Sequence, residues 1–430
     1  MGDISVIPDQ WRPWLRWLFR FFFIYFVFYT FPFPLDSFDF TAPIVKPYYD
    51  LLDWFIPRIG EKWFHTKATP VFPMFDKLDD SGYGLAFIYF NLILSLIGTI
   101  CWSLLDRKRK NYHLLYQWLR LYLRFYLAAF LFGYGFIKIF PSQFQAPTAS
   151  SLTSLVGDQT PMMLAWHFMG YSVVMMRING IVEVLAGLLL LFRRTTTIGA
   201  ILSSGVFSFV VLMDFCFNVP VRLLASHLLI ISLFLIVDDG QKLANIFFLN
   251  KPTQPTSYPV LINNPGWRKA FLYLLAILGI CLLFTTIFKA IDSEKSFGLK
   301  SPKVPLYGVY KTIYFIRNKD TVAPLATDSL RWKLLVIDGN SYNQSGIIQF
   351  NSDKRSAYTV KADTATGIIS MQSRVDTTEK YSIHFEMQDD RRLHLMGRFK
   401  QDTVEILMDK YELDNYILHK EKFKWISDVE

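Results

Sequence analysis

Residues 83–110 read YGLAFIYFNLILSLIGTICWSLLDRKRK, an apolar run without one charged side chain that stops at Asp106 and four consecutive basic residues, Arg107 to Lys110. About 20 mostly apolar residues cross the roughly 30 Å of hydrocarbon in a bilayer. Basic clusters at the end of such a run mark the cytoplasmic loop. Tyr83–Leu105 therefore reads as a transmembrane helix with its C-terminal end inside. Working outward, six more stretches qualify: Trp14–Phe33, Leu119–Phe140, Val173–Phe192, Ile198–Phe217, Leu223–Val237 and Ala270–Ile291. The sixth in chain order is short and stops at Asp238-Asp239.

The loops give an orientation. Arg12, Arg16 and Arg20 open the first span, Arg193-Arg194 follow the fourth, and Lys242, Lys251, Arg268 and Lys269 lie between the sixth and seventh. All share the side of Arg107–Lys110 when the N-terminus is cytoplasmic, whereas the short loops opposite carry only Arg222. Positive charge is retained inside, so the C-terminus is expected outside. The first outer loop, 34–82, holds Trp54 and Trp63 in a stretch suited to a short helix on the membrane surface. The inner connection begins with an interfacial turn (Leu243, Ile246, Phe247) and runs on through Pro252, Pro255, Pro259 and Pro265 as an extended tether. No small-residue cleavage site follows the first span, which reads as a retained helix.

Composition agrees with a membrane protein. Hydrophobic residues make up 52% and charged residues 19% of the 430, where soluble domains carry about a quarter charged. The formal net charge of +9 flanks apolar runs instead of forming one stripe, so the lipid bilayer is the expected partner and nucleic acid is not. Cys101, Cys216 and Cys281 lie in separate spans without motif spacing, which argues against a disulfide framework, a redox pair or a zinc site.

After Ile291 the period changes. Short β-branched and aromatic runs, Val309–Phe315, Trp332–Ile337, Gly346–Phe350, Ala357–Lys361, Gly367–Gln372, Tyr381–Met387, Leu393–Phe399, Thr403–Met408 and Tyr416–His419, recur between turn residues. Such spacing predicts an antiparallel meander, a sandwich or an up-and-down barrel. Tyr381, Ile383, Phe385 and Met387 alternate with polar residues and give that strand one buried face. The fold class is therefore a membrane all-α bundle of about seven transmembrane helices plus a C-terminal all-β antiparallel, barrel-like domain. The expected divisions are 1–118 (two spans and an outer loop), 119–240 (a four-helix bundle), 241–304 (linker, seventh span and tether) and 305–430 (the extracytoplasmic β domain).

Ionisable groups inside spans are costly and mark function by default. The ligand-binding candidates are Lys138, Arg177, Glu183, Asp214, Arg222 and His227, all but the deeper Glu183 near the outer ends of their spans; Arg124 lies nearer the inner end. Together they describe an outward-facing polar chamber for an anion, a quinone headgroup or a lipid headgroup. The plainer reading is that Lys138 or Arg177 snorkels to the interface and Glu183 pairs with a basic neighbour across helices. His227 has no second histidine at ligand spacing, and His65 and His167 lie in outer loops, so no metal site is expected. Trp166, His167 and Phe168 sit in an outer loop between Pro161 and Gly170 that suits a re-entrant lid or an interfacial belt. No phosphate loop or hydrolase motif is present.

From Trp102 to Pro255 the chain resembles the DoxX family of bacterial membrane proteins. The resemblance rests on Trp102-Ser103 with Asp106-Arg107-Lys108-Arg109 and Asn111-Tyr112, on Arg124, and on Gly133-Tyr134-Gly135 with Lys138. It continues through Phe168-Met169-Gly170, Glu183 with Gly187, Arg193-Arg194-Thr195-Thr196 and Val219-Pro220-Val221. It implies a DoxX-like four-helix core over Leu119–Val237 in a bacterial inner membrane, with the β domain periplasmic. One relative of that kind is a subunit of a thiosulfate:quinone oxidoreductase and others belong to membrane oxidoreductase complexes. The implied role is a quinone-linked or redox-associated subunit, with quinone as the cofactor and other membrane subunits as partners. The alternative is a non-enzymatic binding or transport-like module for an anionic or lipid ligand.

Reporter fusions after Lys110 and Arg194 are expected to signal cytoplasm and a fusion after Glu430 the outside. A cytoplasmic signal at Glu430 would mean one span fewer, the short sixth first among them.

Overall fold

The computed structural model describes residues 10–64, 80–253, 260–340 and 342–420. His65, Pro255 and Pro259 lie outside them. Among the described residues seven helices are long and apolar enough to cross a membrane. The protein is a multi-pass membrane protein whose helices contact lipid. The chain divides into two compact units, residues 1–136 with 179–289, and residues 137–178 with 290–430.

In the helical unit, α1 (Pro13–Thr30) packs along α3 (Gly82–Leu105), with α2 (Ala42–Phe64) between their ends. The sequence suggests only a short surface helix for α2, yet it has 23 residues despite Pro47 and Pro57 inside it. Proline costs a helix one hydrogen bond and kinks it. Here Val45, Tyr49, Leu52 and Ile56 form a buried stripe at helical spacing, and Leu52 and Ile56 share an apolar cluster with Tyr29, Tyr83 and Phe87. Tertiary burial overrides the local penalty. Trp54 and Trp63 stay on the exposed face.

The next helix, α4, runs His113–Ile139; a single turn, α5 (Ala149–Leu152), and α6 (Pro161–Tyr171) then precede α7 (Val173–Leu191), α8 (Thr196–Cys216) and α9 (Arg222–Ile236). Glycines let α4, α7 and α8 approach. A Cβ on Gly135 would stand 2.9 Å from the Gly180 carbonyl, and one on Gly199 3.1 Å from the Ala186 carbonyl. Small residues at such seams replace the missing hydrophobic drive between helices in lipid. After a short α10 (Gly240–Phe247), α11 (Pro265–Ser296) is the least covered span, with 11% of its apolar window buried.

Among the described residues the second unit centres on nine strands: β1 (Gly308–Arg317), β2 (Asp320–Thr321), β3 (Trp332–Gly339), β4 (Gln344–Phe350), β5 (Arg355–Asp363), β6 (Ile368–Ser373), β7 (Lys380–Met387), β8 (Arg392–Phe399) and β9 (Asp402–Tyr411). Each longer strand pairs antiparallel with the next, and β1 returns to pair with β9 from Val309↔Tyr411 to Arg317↔Val404. Eight strands thus close a barrel, while β2 folds back on the end of β1. Closure removes both sheet edges. Alternate side chains fill the interior: Ile383 and Phe385 are buried, Tyr381 and Met387 pack on the same core, and Trp332 meets Phe399 edge-on at 5.1 Å. The expected strand Tyr416–His419 is instead a short helical end (Leu413–Asn415 and α12, Ile417–Lys420). Both neighbours of β9 are already taken by β8 and β1, so a further strand has no ladder to join.

The segment between the third and fourth spans belongs to this unit. Ala149 is fully buried with Val309 and Val336 of the barrel, Ser150 N donates to Asp338 Oδ2 (2.8 Å), and the Arg355 guanidinium donates to the Thr153 carbonyl (2.6 Å). Thr160 caps α6 by accepting from Met163 N, with Pro161 in the first turn. Gly170 permits contact that a Cβ would forbid, 2.1 Å from the Gln145 carbonyl.

Expressed alone, residues 305–430 are expected to give a soluble β-type circular dichroism spectrum, because closure and core lie within them. Adding the 141–171 segment in trans should raise the melting temperature by covering Val309 and Val336. A disordered spectrum would show that the barrel needs that cover to fold.

Candidate functional site

Asp80 shows how the helical unit holds charge. Its Oδ1 accepts from Leu223 N (2.8 Å), and its Oδ2 accepts from Arg222 N (3.0 Å) and Arg222 Nε (2.7 Å). A carboxylate at the start of α9 satisfies amides without helical partners and faces the positive end of the helix dipole. Arg222 is thereby a partner of Asp80, which the sequence alone does not suggest. Asp214, 2% exposed, stands within electrostatic range of both, and its Oδ2 is buried with no hydrogen-bond partner among the described residues.

His227 is 7% exposed and held on both ring nitrogens, by the Leu223 carbonyl (2.6 Å) and the Tyr25 hydroxyl (2.6 Å). Tyr29 stacks on the imidazole at 4.1 Å, and its buried hydroxyl has no partner among the described residues. Tyr134 lies within electrostatic range of Tyr29, Glu183 and Asp214. Of the six candidates, His227 joins Tyr25 and Tyr29 in one buried group, Arg222 joins Asp80 near Asp214, and Glu183 is buried. Lys138, buried, and Arg177, exposed, belong to the other unit. A phenol–imidazole pair can pass a proton. Tyr25 and Tyr29, one helical turn apart, were the available sequence signal. Their partners are set by tertiary packing.

A second polar cluster lies at the other ends of these helices. Arg124 donates to the Leu190 and Leu191 carbonyls (2.8 and 2.9 Å), placing a cation at the C-terminus of α7. Arg120 pairs with Asp238 and donates to the Leu235 carbonyl (2.9 Å), while Tyr116 donates to Asp238 (2.8 Å). Asp239 takes the Thr197 hydroxyl (2.5 Å) and Lys242 (3.2 Å). Nearby, Arg20 bonds Tyr112 OH, Ser103 Oγ (2.7 Å) and the Asp106 carbonyl (2.9 Å), so a residue legible as a topology signal also clamps α1 to the loop after α3.

This cluster forms the polar end of a cleft of about 1900 Å³ between α1, α4, α7, α9 and α11. Its long wall is apolar, with Phe22, Phe26, Phe125, Leu188, Phe234, Leu275 and Leu283 among the lining. At the polar end Arg120, Arg124, Arg193, Lys242 and Arg268 outnumber Asp238 and Asp239. The sequence places the ligand chamber at the outer ends of the spans, whereas the large cavity opens at the ends bearing the basic loops. Hydropathy could not show it, because the cavity arises where the sparsely covered α11 stands off its neighbours. Among the described residues no group of three His, Cys, Asp or Glu side chains could hold a metal ion.

Seven spans, a buried intramembrane polar network and a closed β-barrel define a multi-pass membrane protein with a folded β domain. The chain is 34% identical over 124 residues to the uncharacterized protein YwoB of Bacillus subtilis (strain 168), a match covering 29% of this chain and 79% of that relative. The chain belongs to the same family as YwoB. No family model matches it, and no solved structure does.

Asp80→Ala is expected to lower stability by about 1–2 kcal/mol, the usual cost of removing a helix cap. Asp80→Asn, which keeps an accepting oxygen, should lose less. Thermal unfolding of the purified protein followed by circular dichroism distinguishes the two, and equal losses would show that the Arg222 charge pair outweighs the cap.

Proposed function

We propose that the protein binds a membrane amphiphile with an anionic head and long hydrocarbon chains in the cleft of its helical unit. One observation carries this reading: a single cavity joins a long apolar wall to a polar end where five basic side chains face two carboxylates. Hydrocarbon chains match the wall by area. A phosphate or carboxylate head matches the surplus of guanidinium and ammonium groups. The sparsely covered α11 gives such a molecule lateral access from the bilayer. By the distribution of basic loops the polar end faces the cytoplasm.

The DoxX resemblance favours a second occupant of the same cavity. A quinone also has a long apolar tail, and redox coupling would then run through the buried phenol–imidazole pair of Tyr25 and His227. The surplus positive charge at the cleft favours the anionic head over the neutral quinone ring.

Native mass spectrometry after gentle extraction is expected to show one or two retained anionic lipids. Replacing Ala276 with Trp fills the apolar wall and should displace them, and Arg193→Gln with Arg268→Gln should weaken retention about tenfold, roughly 1.4 kcal/mol. Retained quinone in place of phospholipid would replace the first reading by the second. Retention indifferent to both sets of changes would remove the cleft as the site.

A further inference from the structure

The barrel unit holds a smaller cavity of a different chemical kind. It measures about 400 Å³ and lies where the 145–167 segment crosses the outer face of β4 and β5. Its polar lining includes Ser150, Ser154, Asp158, His167 and Arg355. Met163 and, on paired positions of adjacent strands, Ile347 and Ala357 supply an apolar patch. All of these side chains lie outside the spanning helices.

The hydrogen bonds fix what this cavity can recognise. Arg355 is spent on the wall, its two terminal nitrogens donating to the Thr153 carbonyl (2.6 Å) and hydroxyl (3.2 Å). That commits one N–H of each terminal nitrogen to the protein and so weakens the forked grip that a carboxylate or phosphate would need. Asp158 lies within electrostatic range of Arg355 and balances its charge. Gln159 donates to Ser154 Oγ (3.1 Å) and accepts from His167 Nδ1 (3.1 Å), which leaves the other ring nitrogen as an acceptor. Burial lowers the His167 pKa below its ordinary value, so the ring is neutral near pH 7. Ser150 Oγ is buried without a hydrogen-bond partner among the described residues.

The cavity therefore offers acceptors on His167 and Asp158 beside the hydroxyls of its lining, in a setting without net charge. An anion meets Asp158 and a guanidinium already bonded to Thr153; an ammonium group meets the charge of Arg355. A ligand that supplies several neutral O–H donors satisfies these acceptors, and its C–H face covers Met163, Ile347 and Ala357. A cavity of this volume is at the small end of ordinary ligand sites, roughly 300–1000 Å³. We propose that the outer face of the barrel, beneath the 145–167 segment, is a binding site for a small uncharged polyhydroxylated molecule of monosaccharide size. The site is independent of the membrane cleft, so neither proposal depends on the other.

The test uses full-length protein in lipid nanodiscs without glycoside detergent. Saturation-transfer NMR and calorimetry are run with glucose, N-acetylglucosamine, alanine and acetate as probes. A sugar is expected to bind saturably in the millimolar range, and alanine and acetate are not. Ala357→Trp fills the apolar side of the cavity, and Asp158→Asn removes charge from an exposed position with little risk to folding. Each should weaken sugar binding about tenfold, with the thermal transition of the Asp158 variant unchanged. Preference for alanine or acetate overturns the assignment of ligand class. Absence of saturable sugar binding, or sugar binding that neither variant alters, overturns the site.

Discussion

Hydrocarbon offers no hydrogen bonds, and that constraint governs the helical unit. Several charged groups within it bind a backbone end or an opposite charge. Arg124 takes the last carbonyls of α7, and Asp80 takes the first amides of α9. Arg120 binds Asp238, and Arg20 gathers Tyr112, Ser103 and the Asp106 carbonyl. These bonds cross between elements distant in sequence, so they fix which helix neighbours which. Packing through Gly135, Gly187 and Gly199 then sets how closely the helices approach. The barrel satisfies its backbone by closure of β1 on β9.

The helices were legible because their signal is local. A spanning run is recognised by its own composition, and the structure places helices over all seven expected stretches. The barrel strands were legible for the same reason, since alternation is a property of six or eight consecutive residues. The failures share a cause as well. Pro47 and Pro57 argue locally against a long α2, and only the cluster with Tyr29 and Phe87 outweighs them. Tyr416–His419 has strand composition but no free partner strand. Asp238-Asp239 reads as the end of a span, whereas its role as the acid side of a basic cluster depends on Tyr116, Arg120 and Thr197.

The candidate residues were legible as a set more than as a site. Intramembrane charge singled out Asp214 and Arg222, which stand near Asp80, and His227, which bonds Tyr25 and stacks on Tyr29. The uncharged members, Tyr25, Tyr29 and Tyr134, carry no such mark among 22 tyrosines. The cleft left no trace in hydropathy at all. A cavity is a property of how helices stand apart, and the residues facing it are as apolar as those facing lipid.

The anchoring of the 141–171 segment to the barrel bears on how the protein can be taken apart. A β domain hung from a final span by one linker is released whole when a protease cuts that linker. Here both ends of the gripping segment run into spanning helices, α4 and α7. Ala149, Ser150 and Thr153 hold the barrel at Val309, Val336, Asp338 and Arg355. A nick between Ser296 and Gly308 therefore severs the covalent link without setting the domain free. Shedding requires a second cut, or loss of the fold itself.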